Sequence, residues 1–118
     1  PLLHEVRHAL KKLVDANENT VIDLRSLPLA PGEEEKILDS LGQGEVSATL
    51  DALGKSEIIE TAFAGVWLIT HYNDDEDIIG RFIEVTVMPE ILMSQQQDIA
   101  DASEQLDQLL NDEFAKGA

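Results

Sequence analysis

His4 and His8 stand four residues apart, a spacing that puts both imidazoles on one side of a helix, where they could hold a metal ion. No third ligand is near them in sequence, and neither a Glu-x-x-His nor a His-Glu-x-x-His run is complete. Two solvated histidines are the simpler expectation. Asn73-Asp74-Asp75-Glu76-Asp77 offers oxygen ligands in quick succession. It lacks the central glycine and the terminal bidentate glutamate of a calcium loop, so it reads as a solvated hairpin tip. Gly42-Gln43-Gly44 follows a helix, whereas a dinucleotide-binding glycine loop follows a strand and opens a helix; it is a turn. There is no Gly-x-Ser-x-Gly elbow, and six scattered serines with three histidines make no triad. His71 could form an acid–base pair with Glu60 or Glu84, but no nucleophile accompanies them. The expectation is no catalytic site, no metal and no cofactor.

Bulk composition narrows the classes further. The formal charge is −16, from 24 acidic against 8 basic side chains. Such a field repels phosphate backbones, so nucleic acid and anionic membranes are not expected partners, while a basic protein surface would be attracted. The chain has no cysteine, which removes disulfides, thiolate metal sites and thiol redox chemistry, and fits a reducing compartment. No charged leader precedes an apolar stretch, and no apolar run approaches the ~20 residues of a membrane span. A cytoplasmic location is expected. With 118 residues, 43% of them hydrophobic but only 4% aromatic, one domain over 1–118 with an aliphatic core is expected.

The elements that must position any site follow from periodicity. Leu3, Val6, Leu10, Leu13 and Val14 recur at helical spacing and predict a first helix over about 2–15, which also carries Arg7, Lys11 and Lys12. Residues 20–24 form a short strand. A proline-stiffened loop over 27–32 leads to a second helix opened by Glu33, Glu34 and Glu35, with Ile37, Leu38 and Leu41 as its stripe. From Glu45 to Val87 the period changes to two and predicts four strands in a meander: from Val46 to Ala52, Ile58 to Phe63, Val66 to Tyr72 and Ile79 to Val87. Ser94 and Gln97 match a capping box. A final helix follows, with Ile99, Ala102, Leu106, Leu109, Leu110 and Phe114 on one side. The economical packing is an α+β two-layer sandwich with the helices on one face of an antiparallel sheet.

A sheet covered on one side leaves the other available. If the connection at Ala64-Gly65 sets Ala62 opposite Trp67, then Trp67, Ile69 and His71 share a face with Ile58 and Glu60. Ile79, Ile83, Val85 and Val87 should meet the helices, together with Val46, Ala48 and Leu50. Parity also puts Arg81 there, which an edge position or snorkelling would accommodate. The open face then collects Glu60, Trp67, His71, Phe82 and Glu84 as a candidate partner-binding surface, an exposed tryptophan being well suited to an interface; the alternative is that Trp67, the single tryptophan of the chain, is a core residue. The same patch could pair two copies of the chain.

The combination Leu41-Gly42-Gln43-Gly44-Glu45-Val46, Glu60-Thr61 with Gly65-Val66-Trp67, His71, Phe82-Ile83-Glu84-Val85 and Pro89-Glu90-Ile91-Leu92 resembles the C-terminal conserved region of HupH/HyaF hydrogenase expression/formation proteins. The likeness spans about 20–100. It implies a non-enzymatic, chaperone-like factor in [NiFe]-hydrogenase maturation. Such a factor binds an immature subunit, the small Fe–S subunit above all, or a fellow maturation protein. Glu45, Glu60, Thr61, Trp67, His71 and Glu84 sit on the family pattern. The rival readings are a metal-dependent accessory using His4, His8 or His71, and a small enzyme, which would need a deep pocket enclosing His71 and Glu60.

Overall fold

A computed structural model of the chain describes residues 1–114. Five strands, β1 (Thr20–Asp23), β2 (Ser47–Asp51), β3 (Lys55–Glu60), β4 (Val66–Tyr72) and β5 (Ile78–Val85), form one antiparallel sheet in the order β1-β5-β4-β3-β2. The last four strands are the expected meander. β1 closes the far edge against β5, with Ile22 opposite Ile83. Among the described residues no helix is long and apolar enough to cross a membrane.

Helix α1 (Leu2–Ala16) turns Leu2, Val6 and Ala9 inward and stops where Asn17 takes a left-handed conformation at φ 55°. Helix α2 (Glu33–Leu41) begins on three glutamates at its positive end, where the Glu33 carboxylate also accepts from the Ala30 amide at 2.8 Å. Both helices lie on one face of the sheet. Their core with Val66, Ile83 and Val85 is sealed, the three strand residues being wholly buried. The α+β sandwich is thus the expected one.

Several local expectations need correction. Trp67 pairs with Glu60, not Ala62, because β3 stops at Glu60 and residues 61–65 make the turn. The slip is two residues, so every side chain keeps its face. Ile79 does not reach the helices and is 63% exposed. Tyr72 pairs with Ile78 while His71 pairs with Gly80, so Ile79 is the extra residue of a β-bulge. Val87 lies past the end of β5 and is exposed too. Ala48 and Leu50 face away from the helices, because Ala48 stands opposite Ile58. Arg81 does sit on the helix side. There Nε donates to Thr70 Oγ1 at 3.2 Å, and the guanidinium lies 3.7 Å from Glu34 of α2.

The largest departure is the last helix, α3 (Gln96–Phe114). It does not join the helical layer. Its residues from Gln96 to Glu113 are all exposed, Ile99, Leu106, Leu109 and Leu110 included. The side chain of Phe114, expected on the same stripe, lies outside the described part of the structure. At its start, Gln97 donates forward to Asp101 Oδ1 at 3.0 Å instead of back to the helix start.

Candidate functional site

The face away from α1 and α2 is built in cross-strand rows. Val21, Glu84, Trp67 and Glu60 lie side by side across β1, β5, β4 and β3. The next row is Asp23, Phe82, Ile69 and Ile58, followed by Gly80, His71 and Ser56. Strand alternation therefore brings Glu60, Trp67, His71, Phe82 and Glu84 onto one surface.

Trp67 is the correction within that surface. The indole is only 4% exposed, packed with Ile58 and Ile69 into a second small core. Residues 86–93, the first two of which the alternation assigns to the fourth strand, instead fold back across this face through the 3₁₀ turn Glu90–Leu92. Leu92 packs against the Trp67 cluster. The ring's one polar atom is satisfied, Nε1 donating to the Thr86 carbonyl oxygen at 3.1 Å. Trp67 thus anchors this segment and offers no free apolar surface.

What stays accessible lies beside the anchored segment. Val21, Ile69, His71, Phe82, Glu84 and Ile91 line a shallow depression of about 200 Å³. His71 is fixed from two sides: its Nδ1 is 2.7 Å from Ser56 Oγ, and its ring meets Phe82 edge-on with centroids 5.8 Å apart. Burial pushes the Glu84 carboxyl above the usual carboxylate range, the nearby Glu90 carboxylate adds to this, and His71 opposes it. The depression is therefore an apolar hollow with a half-buried imidazole and a carboxyl that is reluctant to ionise. Sequence reading missed Val21, Ile91 and Ser56. β1 is only four residues long, Thr20-Val21-Ile22-Asp23, with adjacent apolar side chains that show no face, and Ile91 lies outside every element that periodicity predicts.

Glu60 stands apart from the depression. Its side chain lies over Gly44, where a β-carbon would come 2.9 Å from Glu60 Oε1 and 2.4 Å from the Thr61 carbonyl oxygen. Thr61 builds the β3–β4 turn, its hydroxyl donating to the Val66 carbonyl at 2.8 Å. Glu45 is exposed in the approach to β2. His4 and His8 lie exposed on α1, and Asn73 Oδ1 accepts from the amides of Asp75 and Asp77, both at 2.9 Å, making the hairpin tip a closed local turn. Among the described residues no three histidines or carboxylates gather as a metal site would require.

Residues 1–112 match the family model described as HupH hydrogenase expression protein, C-terminal conserved region. The hydrogenase expression/formation protein HoxQ of Azotobacter vinelandii is 29% identical over 108 residues, covering 90% of this chain and 38% of that protein. HupH of Rhodobacter capsulatus is 34% identical over 91 residues, 75% of this chain and 33% of its own length. The chain therefore spans little more than a third of these curated relatives. A solved structure, hydrogenase expression protein HupH from Thiobacillus denitrificans, superposes with a TM-score of 0.91 at 43% identity, over 95% of this chain and 93% of that one.

Proposed function

The chain belongs to the HupH hydrogenase expression protein family, in its C-terminal conserved region, and from that premise we propose that it is a non-enzymatic factor of hydrogenase maturation. Its role is to bind an immature hydrogenase subunit, the small Fe–S subunit foremost, in the cytoplasm. As a single domain of this family it uses the open sheet face around His71, Phe82 and Glu84.

The observation that carries the reading is the hollow beside the anchored 86–93 segment, flanked by exposed Val21 and Ile91. Apolar side chains left in water beside a half-buried imidazole and carboxyl suit the centre of a protein interface. Two further features support it. The hollow is shallow and excludes Glu60, so it does not enclose the His71–Glu60 pair that an acid–base enzyme would need. The charge of −16 favours a basic client segment, and a chain without thiolates recognises an apo-protein surface instead of carrying a cluster.

Immobilised chain exposed to extract from hydrogenase-producing cells tests this. The wild type should retain the hydrogenase small subunit, and a Phe82→Ala, Glu84→Lys variant should lose most of it. Retention of no hydrogenase component by the wild type would remove the proposal.

A further inference from the structure

We propose that α3 is an exchanged arm: in a twofold dimer of this chain, α3 of each copy lies along the outer side of α1 of the other. A nineteen-residue helix is about 28 Å long. Here it projects into solvent, with Ile99 and Leu109 each 50% exposed and Leu106 57%. The radius of gyration is 19.1 Å, against roughly 13–14 Å for a compact chain of this size. The solved relative superposes over 95% of the chain. That coverage, at a TM-score of 0.91, cannot be reached without part of α3 superposing as well. An apolar stripe kept in water in this manner has a partner missing.

α1 supplies a matching surface. Its inner side is buried, but Leu3 is 43% exposed and Val14 81%, on one row with Arg7 and Leu10. That row spans twelve residues, as does Ile99 to Leu110 on α3. The charges are opposite. α3 carries six carboxylates and no basic residue, whereas α1 holds Arg7, Lys11 and Lys12 on its exposed sides against Glu5 and Asp15, a net positive surface. Pairing two copies of α3 with each other would set carboxylates against carboxylates. Laying α3 on α1 sets them against the basic helix. Folding back onto its own α1 is opposed by topology. α3 leaves the body from the 3₁₀ turn on the Trp67 face, and α1 covers the other face. A second copy supplies the α1 that the arm can reach, and reciprocity closes the dimer.

Sedimentation equilibrium of the full chain should give twice the 13.0 kDa chain mass. Dissociation should strengthen on the order of tenfold as salt is raised from low to high. A Leu106→Asp, Leu109→Asp variant should be monomeric, with the Trp67 emission of an intact body. The chain has no cysteine, so Arg7→Cys with Leu106→Cys gives a clean second reading. Mild oxidation should yield a disulfide-linked dimer on a non-reducing gel, and neither single variant should. A monomeric wild type, a dimer that survives the double aspartate change, or no link in the double cysteine variant would overturn the proposal. So would a link within one chain, which means fold-back, or a dimer from Leu106→Cys alone, which means α3 against α3.

Discussion

Trp67 and Thr86 are joined on the face of the sheet away from α1 and α2, the indole Nε1 donating to the Thr86 carbonyl oxygen at 3.1 Å. The bond satisfies a buried donor and ties residues 86–93 down over a cluster that α1 and α2 never touch. Trp67→Ala should cost ~3–5 kcal/mol in urea unfolding, the range for deleting a large buried aromatic. Trp67→Phe should cost ~1–2 kcal/mol, from the lost hydrogen bond and the smaller ring. A Trp67→Ala protein of unchanged stability would contradict the anchoring role.

Gly44 approaches the β3–β4 turn more closely than any other residue type could. A β-carbon there would sit 2.4 Å from the Thr61 carbonyl oxygen, a backbone atom that cannot swing aside. Gly44→Ala should therefore destabilise by ~1–3 kcal/mol, as overpacking does. Thermal denaturation would read this as a clear fall in Tm, and an unchanged Tm would be incompatible with the contact.

Glu84 should make stability fall as pH rises. Its carboxyl titrates above the usual range in the folded protein, chiefly because of burial, so the native state holds its proton longer than the unfolded state does. Between the ordinary and the raised value, folded protein binds more protons, and unfolding is favoured progressively with increasing pH. The stabilising contribution is complete below the ordinary value and lost above the raised one. Glu84→Gln should remove this part of the slope and be more stable than wild type at neutral pH. Denaturant midpoints for the two proteins across the mildly acidic range provide the test.

The bulge at β5 separates two isoleucines that look alike in sequence. Ile79 is the unpaired, exposed residue and Ile83 is wholly buried under the helices. Ile79→Ala should change stability by no more than about 0.5 kcal/mol, and Ile83→Ala should cost ~2–5 kcal/mol. Equal costs would place both in the core and rule out the bulge.

Period-two alternation carried most of the sheet: it put Glu60, Trp67, His71, Phe82 and Glu84 on one face although the assumed partner of Trp67 was two residues off. Faces are a matter of parity, and an even slip is harmless. The bulge is not legible in sequence because Ile78 and Ile79 are identical neighbours, and either could be the paired residue. β2 turns the other way from the expected one because Ala48 and Leu50, though apolar, are half-buried against the second cluster of Ile58, Trp67 and Ile69 and not against the helices. Sequence alone leaves Trp67 between core and interface for the same reason: nothing in residues 86–93 signals that they return across the sheet. α3 shows the limit of amphipathic pattern, which identifies a side in need of cover but not which molecule covers it.

The central claim is that the hollow between β1, β5 and the 86–93 segment is where a hydrogenase subunit docks. Methyl NMR of the labelled chain, titrated with purified hydrogenase small subunit, addresses it directly. The Val21, Ile69 and Ile91 signals should shift, while Ile37 and Val66 beneath the helices should hold their positions. Binding that moved the helix-side methyls and left those three unchanged, or no binding at all, would contradict it.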